Sequence, residues 1–162
     1  MYNLQLDYDE VPLIRAASIN DIEAIMELNK ELEVDKWSRE QYERAFMYQL
    51  NIDIYIVDNK VVGLIIYAES FDELKILVLI VAKYYQRRYI GNKLLFNTLN
   101  KARQVDGIIY AMLDVCVLNL PAINLYHQFG FRILCVRRGY YDDRFTRDGY
   151  LMQLKLSELE PS

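Results

Sequence analysis

Two stretches of this sequence carry residues whose types and spacing point to chemistry. The first is Val81-Ala-Lys-Tyr-Tyr-Gln-Arg-Arg-Tyr-Ile-Gly-Asn-Lys-Leu-Leu95, an apolar run that passes through a short basic turn into a helical pattern. The start of a helix presents unpaired N–H groups and the positive end of a dipole. Gln86, Arg87, Arg88 and Gly91 at that start therefore make a cradle suited to a phosphate. Taken alone, the arginine pair reads more readily as a solvated surface turn, because Arg is mostly exposed. The second stretch is Leu113-Asp-Val-Cys-Val-Leu-Asn-Leu-Pro-Ala-Ile-Asn-Leu-Tyr-His-Gln-Phe-Gly-Phe131. It holds a carboxylate at a strand end, Asp114, and a tyrosine on a helix face, Tyr126. On their own these read as a hydrogen-bond acceptor and a core ring.

Composition removes several other chemistries. The chain has two cysteines, Cys116 and Cys135, and one histidine, His127, too few for a zinc site built from Cys and His. Both thiols are expected to be reduced and buried, as free Cys usually is. His127 is expected at a helix surface with no catalytic role. The formal net charge of -4 disfavours nonspecific nucleic-acid binding, which needs a basic footprint. It permits attraction of a basic partner, to which Glu31, Glu33, Asp35, Asp142 and Asp143 would contribute, or it serves solubility alone. No apolar run reaches the ~18 residues of a membrane span. Residues 1–10 lack the basic and apolar regions of a signal peptide, so a cytoplasmic location is expected.

The elements that position these residues follow from pattern. The 162 residues suit one domain, read as 11–157, with 1–10 as an N-terminal extension. Leu13–Ala16 reads as a strand. Ser18 with Asp21, and Ser38 with Gln41, open two helices as capping boxes. Ile52–Val57 and Val61–Tyr67 flank the turn Asp58-Asn59-Lys60 as a hairpin. Leu74–Val81 is nearly all apolar and is expected at the centre of the sheet. A helix over 91–104 leads to a strand over 108–115, and a helix between these strands predicts a parallel pair. Asn119 with Pro121 opens another helix and Gly130 closes it. Phe131–Arg137 and Gly149–Leu156 are the last strands. The order β-α-α-β-β-β-α-β-α-β-β is a mixed α+β class.

Taken together, the two stretches resemble the GNAT superfamily of acetyl-coenzyme A-dependent N-acetyltransferases. The family's cofactor motif is Gln/Arg-x-x-Gly-x-Gly/Ala at a helix start, and Gln86-Arg-Arg-Tyr-Ile-Gly91 matches its ends. Its second motif is an Asn, then a helix carrying Leu-Tyr-x-x-x-Gly-Phe, matched by Asn119 and Leu125–Phe131. A narrower resemblance is to the RimI branch, which acetylates the N-terminal alanine of a small-subunit ribosomal protein. Trp37-Ser38, Asp114-Val115 with Ala122-Ile123, and Arg137-Arg-Gly-Tyr-Tyr141 with Asp148 and Met152 carry it. The matches span about residues 13–156.

The resemblance implies the GNAT fold, with acetyl-coenzyme A as cofactor and a protein N-terminus, that of a ribosomal protein in the narrower case, as acceptor. It implies a cofactor site formed by Leu79, Ile80, Val81, Gln86, Arg87, Arg88, Tyr89, Ile90, Gly91, Asn92, Asn119 and Tyr126. A backbone N–H over Leu79–Val81 would serve the oxyanion. Tyr126 is the implied acid for the leaving thiolate, and Asp114 the candidate base, directly or through water. Trp37, Tyr140 and Tyr141 fall on the substrate side. Three positions depart from the family. Tyr89 replaces a glycine, so its side chain either crowds the cofactor or points away. Asp114 replaces a Glu, and Cys116 the branch's Arg. The rival readings are a small-amine acetyltransferase and a silent domain that binds coenzyme A or a protein partner.

Overall fold

A computed structural model describes residues 13–32, 36–141 and 147–161 of the chain. The expected extension 1–10 and the acidic Glu33, Asp35, Asp142 and Asp143 lie outside the described residues. The strands are β1 (Leu13–Ala16), β2 (Asn51–Val57), β3 (Lys60–Ser70), β4 (Glu73–Val81), β5 (Tyr110–Cys116), β6 (Arg132–Tyr141) and β7 (Arg147–Lys155). The helices are α1 (Ile22–Lys30), α2 (Arg39–Met47), α3 (Ile90–Arg103) and α4 (Leu120–Gln128). This is the expected element order. Among the described residues no helix is long and apolar enough to cross a membrane.

The strands form one sheet in the order β1-β2-β3-β4-β5-β7-β6. β4 stands in the middle, as an unbroken apolar run requires. It pairs antiparallel with β3 and, through the α3 crossover, parallel with β5. Both faces of the sheet are covered. Gly63 faces α3: a Cβ there would lie 3.1 Å from both Ile90 Cγ2 and Leu94 Cδ1. Its neighbours Val62 and Leu64 point the other way and are also fully buried, on the face that α1 covers. Leu156 and Leu159 join the core, so the packed unit runs past residue 157.

One irregularity shapes the site. Ile66 pairs with Val78 but Tyr67 pairs with Ile76, which leaves Leu77 as an extra residue on β4. The β4–β5 pairing ends at Ile76 with Leu113. A bulge bends its strand and ends pairing locally, so beyond it β4 and β5 part and a cleft opens between them.

Local differences from expectation have local causes. The helix that Ser38 opens, α2, stops at Met47, and Gln49 beyond it sits in a turn at φ 55°. β5 begins at Tyr110 rather than at residue 108, because the N–H groups of Ile109 and Tyr110 both bond to the Asp72 carbonyl in a turn. Cys116 is buried, but Cys135 is exposed, contrary to expectation. β6 is an edge strand with little covering either face, and its Ile133, Leu134 and Val136 are exposed too.

Candidate active site

The cleft has a volume of about 680 Å³ and is lined by β4 from Ile76 to Val81, β5 from Leu113 to Cys116, α4 and the α1–α2 connection. One wall is mostly backbone. The Ala82 N–H bonds to the Val62 carbonyl at 2.8 Å. Strand alternation therefore turns the backbone of Ile80 toward β3, and that of Leu79 and Val81 toward the cleft. The Val81 carbonyl accepts from Gln86 Nε2 at 3.1 Å, so Gln86 ties the basic turn back to β4. Beyond that turn, the first α3 bond runs from the Lys93 N–H to the Tyr89 carbonyl. No side chain caps the helix, which leaves the N–H groups of Ile90, Gly91 and Asn92 without intrahelical partners.

Tyr89 occupies the left-handed conformation that a glycine favours, at φ 60° and ψ 16°. Its side chain is 73% exposed and forms no part of the cleft wall, so it points away. Arg87 and Arg88 are exposed on the same turn, with Arg88 stacked over the Tyr85 ring at 5.2 Å. A Cβ on Gly91 would meet only Leu125 Cδ2 at 3.5 Å and Val81 Cγ2 at 3.8 Å, which is ordinary contact. Asn119 caps α4 by accepting from the Ala122 N–H at 3.3 Å and also lines the cleft. Tyr126 lines it as well, packed edge-on against Phe131 at 5.7 Å between ring centroids. Burial pushes the Tyr126 hydroxyl up to about 12, and it has no hydrogen-bond partner among the described residues.

The other wall is built from side chains. Asp114 Oδ2 accepts from Lys75 Nζ at 2.6 Å and from the Tyr140 hydroxyl at 3.2 Å. Arg137 Nε stands 3.2 Å from Oδ1 but off the hydrogen-bond line, so Oδ1 has an ionic neighbour and no hydrogen bond. The Asp114 side chain is only 6% exposed. The Tyr140 hydroxyl is pushed up by burial first and by the Asp114 charge second. Its ring lies under Arg137 at 5.2 Å and edge-on to Tyr141 at 5.1 Å. Gly149 admits both rings: a Cβ there would sit 3.1 Å from Tyr141 Cε2 and 3.3 Å from Tyr140 Cδ1. Trp37, half-buried on the cleft wall, packs on Tyr42 at 5.5 Å as a staple before α2. Buried Asn29 fixes that corner by donating to the Trp37 carbonyl at 2.9 Å and accepting from the Tyr42 hydroxyl at 3.2 Å.

Nearly all the residues singled out in the sequence meet at this cleft or at its α3 end. Sequence reasoning missed Lys75, Asn29 and the role of Arg137. The signal for Lys75 was present: a single lysine inside an apolar central strand needs a buried partner. An open strand edge beside an uncapped helix start fits a ligand that joins amide groups to phosphates.

A model of the acetyltransferase (GNAT) family matches residues 22–131. The chain is 32% identical over 162 aligned residues to an N-alpha-acetyltransferase of Sulfurisphaera tokodaii, with 88% of this chain and 92% of that one covered. The fold superposes on the ribosomal-protein-S18-alanine N-acetyltransferase from Escherichia coli with a TM-score of 0.83 at 23% identity, covering 92% and 96% of the two chains. It superposes on Arabidopsis thaliana NAA60 in complex with acetyl-CoA with a TM-score of 0.80 at 17% identity, covering 90% and 99%. The likeness to these two structures is one of fold. The chain belongs to the GNAT acetyltransferase family. It is an N-acetyltransferase, and its acetyl donor is acetyl-coenzyme A.

Proposed function

We propose that the acceptor is the N-terminal α-amine of a protein, a ribosomal protein in the RimI manner, modified in the cytoplasm where new chains and acetyl-coenzyme A meet. The observation that carries this is the state of Asp114. Its Oδ2 already accepts from Lys75 and Tyr140, and Arg137 stands at Oδ1, so Asp114 is not an unencumbered base. Such a site favours an acceptor that arrives neutral. An α-amine, with a pKa of ~7.7–8.0, is substantially neutral near pH 7–8, whereas a lysine amine at ~10.4 is rarely so.

Acetyl-coenzyme A supplies the activated thioester carbonyl. The N–H groups of Ile90, Gly91 and Asn92 would hold its phosphates, beside Arg87 and Arg88. Asn119 contributes its side-chain amide, and Leu79 and Val81 the N–H groups that face the cleft. Tyr126, on the cleft wall, would keep its proton for the thioester sulfur. With the hydroxyl at about 12 against a thiol near ~8.5, complete transfer would be uphill by about 5 kcal/mol, so the role is a hydrogen bond that steadies the departing charge. Asp114 would position Tyr140 through Oδ2, while Arg137 stands at its buried Oδ1. Trp37, Tyr140 and Tyr141 wall the peptide.

The test pairs binding with acceptor choice. Saturating acetyl-coenzyme A, at about a hundred times its dissociation constant, should stabilise the fold by ~2.7 kcal/mol. For a domain of this size the melting midpoint then rises by several degrees, at roughly 2–4 °C per kcal/mol. Free-amine peptides should be acetylated far faster than the same peptides with a blocked terminus and an internal lysine. Faster turnover of the lysine peptide or of a polyamine would overturn the reading.

A further inference from the structure

Lys75 interrupts the apolar run of β4 with a charge, and its side chain turns to Asp114. Its Nζ stands 2.6 Å from Asp114 Oδ2, and Arg137 Nε stands 3.2 Å from Oδ1. The third neighbour, the Tyr140 hydroxyl, donates a hydrogen bond and brings no charge at neutral pH. Either cation alone would neutralise the carboxylate, so the group carries one positive charge more than it needs. Among the described residues no other carboxylate pairs with either cation. Glu73 lies further from the cleft, exposed and opposite Tyr110 at the start of β5. On β7, Asp148 accepts from the Gly139 N–H at 2.9 Å, and on β6 Cys135 shares the row of Leu151 and Asp114. Across the cleft, Glu31 is bound to Lys60 at 2.8 Å, with Lys36 and Lys83 on the same lining. Tyr126, Tyr141 and Cys116 complete the titratable lining. The side chains of Asp114 and Lys75 are 6% and 33% exposed, so solvent screens this cluster only in part.

A positive surplus on this wall bears on the nucleophile. Acetyl transfer needs the lone pair of the amine, and an ammonium has none. A like charge a few ångströms away disfavours the charged form of a group, the more so away from bulk water. We infer that Lys75 and Arg137 keep the bound acceptor amine in its neutral, nucleophilic form by outweighing the charge of Asp114. Asp114 then serves to hold the two cations and Tyr140 in place. The ammonium gives one proton to water as it enters the site. The neutral nitrogen bonds to the acetyl carbon, the carbon–sulfur bond breaks with its electron pair on sulfur, and a second proton from nitrogen ends on the thiolate. The inference rests on the α-amine reading of the acceptor.

The experiment uses the full chain, saturating acetyl-coenzyme A and a peptide that starts with a free alanine amine. Both kcat and kcat/KM are followed from about pH 5.5 to about pH 9.5. The acid limb of kcat/KM reports the free amine, near ~7.7–8.0, and that of kcat reports the amine in the complex. In wild type the kcat limb should lie lower by about one pH unit, which is about tenfold in the neutral fraction. Lys75→Met and Arg137→Met each cancel the surplus and should bring the two limbs together. Lys75→Arg keeps the charge and should keep them apart. A purely structural role would lower the rate at every pH and leave the limbs where they were. Arg137 lies on an edge strand with its side chain 40% exposed. Its variant therefore tests the surplus even where Lys75→Met, which removes a donor from buried Asp114, does not fold. Coincident limbs in wild type, or limbs that stay apart in either methionine variant, overturn the inference. A wild type that binds acetyl-coenzyme A but leaves the free-amine peptide unmodified overturns the α-amine reading itself, and this inference with it.

Discussion

The two walls of the cleft are made in different ways. The donor wall comes from nearly contiguous residues, Leu79 to Asn92, and most of what it offers is backbone N–H: two on a splayed strand and three at an uncapped helix start. The acceptor wall is assembled from side chains on α1, the α1–α2 connection, β4, β5 and β6, held by the Asn29 fork and by Lys75, Arg137 and Tyr140 around Asp114. Backbone groups survive changes of side chain. Side-chain networks do not, because each partner removed leaves another unpaired. The donor wall can therefore absorb a tyrosine where relatives of the fold use glycine, while the acceptor wall is where this chain becomes specific.

Tyr126 stands where the walls meet, and its removal should have the largest effect. Tyr126→Phe keeps the ring against Phe131 and deletes one donor. Turnover should fall roughly 10²–10³-fold, as for the loss of one preorganised donor, while acetyl-coenzyme A affinity stays the same. The pH profile sharpens the assignment. A hydroxyl pushed up to about 12 stays protonated well past pH 10. In wild type kcat/KM should therefore rise through the acceptor amine's pKa of ~7.7–8.0 and stay level to about pH 10. A fall beginning near pH 9 would mean that the hydroxyl ionises much earlier than its burial dictates, and a Tyr126→Phe variant at wild-type turnover would remove it from the reaction.

The acceptor wall should respond next. Asn29→Ala leaves the Trp37 carbonyl without its donor and the Tyr42 hydroxyl without its acceptor, far from any cofactor contact. The expected loss is about 1–3 kcal/mol. The melting midpoint should drop by several degrees, at roughly 2–4 °C per kcal/mol. KM for peptide should rise as Trp37 loosens, and acetyl-coenzyme A affinity should not change. Equal losses in both affinities would show that the walls are coupled through the core, and the contrast between them would fail.

The same contrast explains what the sequence made legible. Element order, the central place of β4 and the basic turn before α3 all rest on local signals: an apolar run, paired arginines, a glycine, caps at Ser38 and Asn119. The bulge at Leu77, which opens the cleft, leaves no local mark, because Ile76-Leu-Val-Leu reads as ordinary strand. The partners of Asp114 come from residues 39 and 26 positions away, and no periodicity reports a contact of that range. Cys135 misled for a related reason: burial depends on whether a strand lies at the sheet edge, and strand order is a property of the whole chain.

The smallest effect should come from the most conspicuous departure, Tyr89. Its left-handed backbone costs a non-glycine residue about 1–2 kcal/mol. Replacing it by glycine removes that strain but returns roughly 0.5–1 kcal/mol of freedom to the unfolded chain. Tyr89→Gly should therefore stabilise the protein by no more than about 1 kcal/mol, seen as a rise of a few degrees at most in the melting midpoint. Because the ring points to solvent and the donor wall acts through N–H groups, acetyl-coenzyme A affinity should stay within about twofold of wild type by calorimetry. A tenfold loss of affinity would show that the ring swings over the bound nucleotide. The donor wall would then depend on a side chain as the acceptor wall does, and tyrosine would be a gained contact rather than a tolerated one.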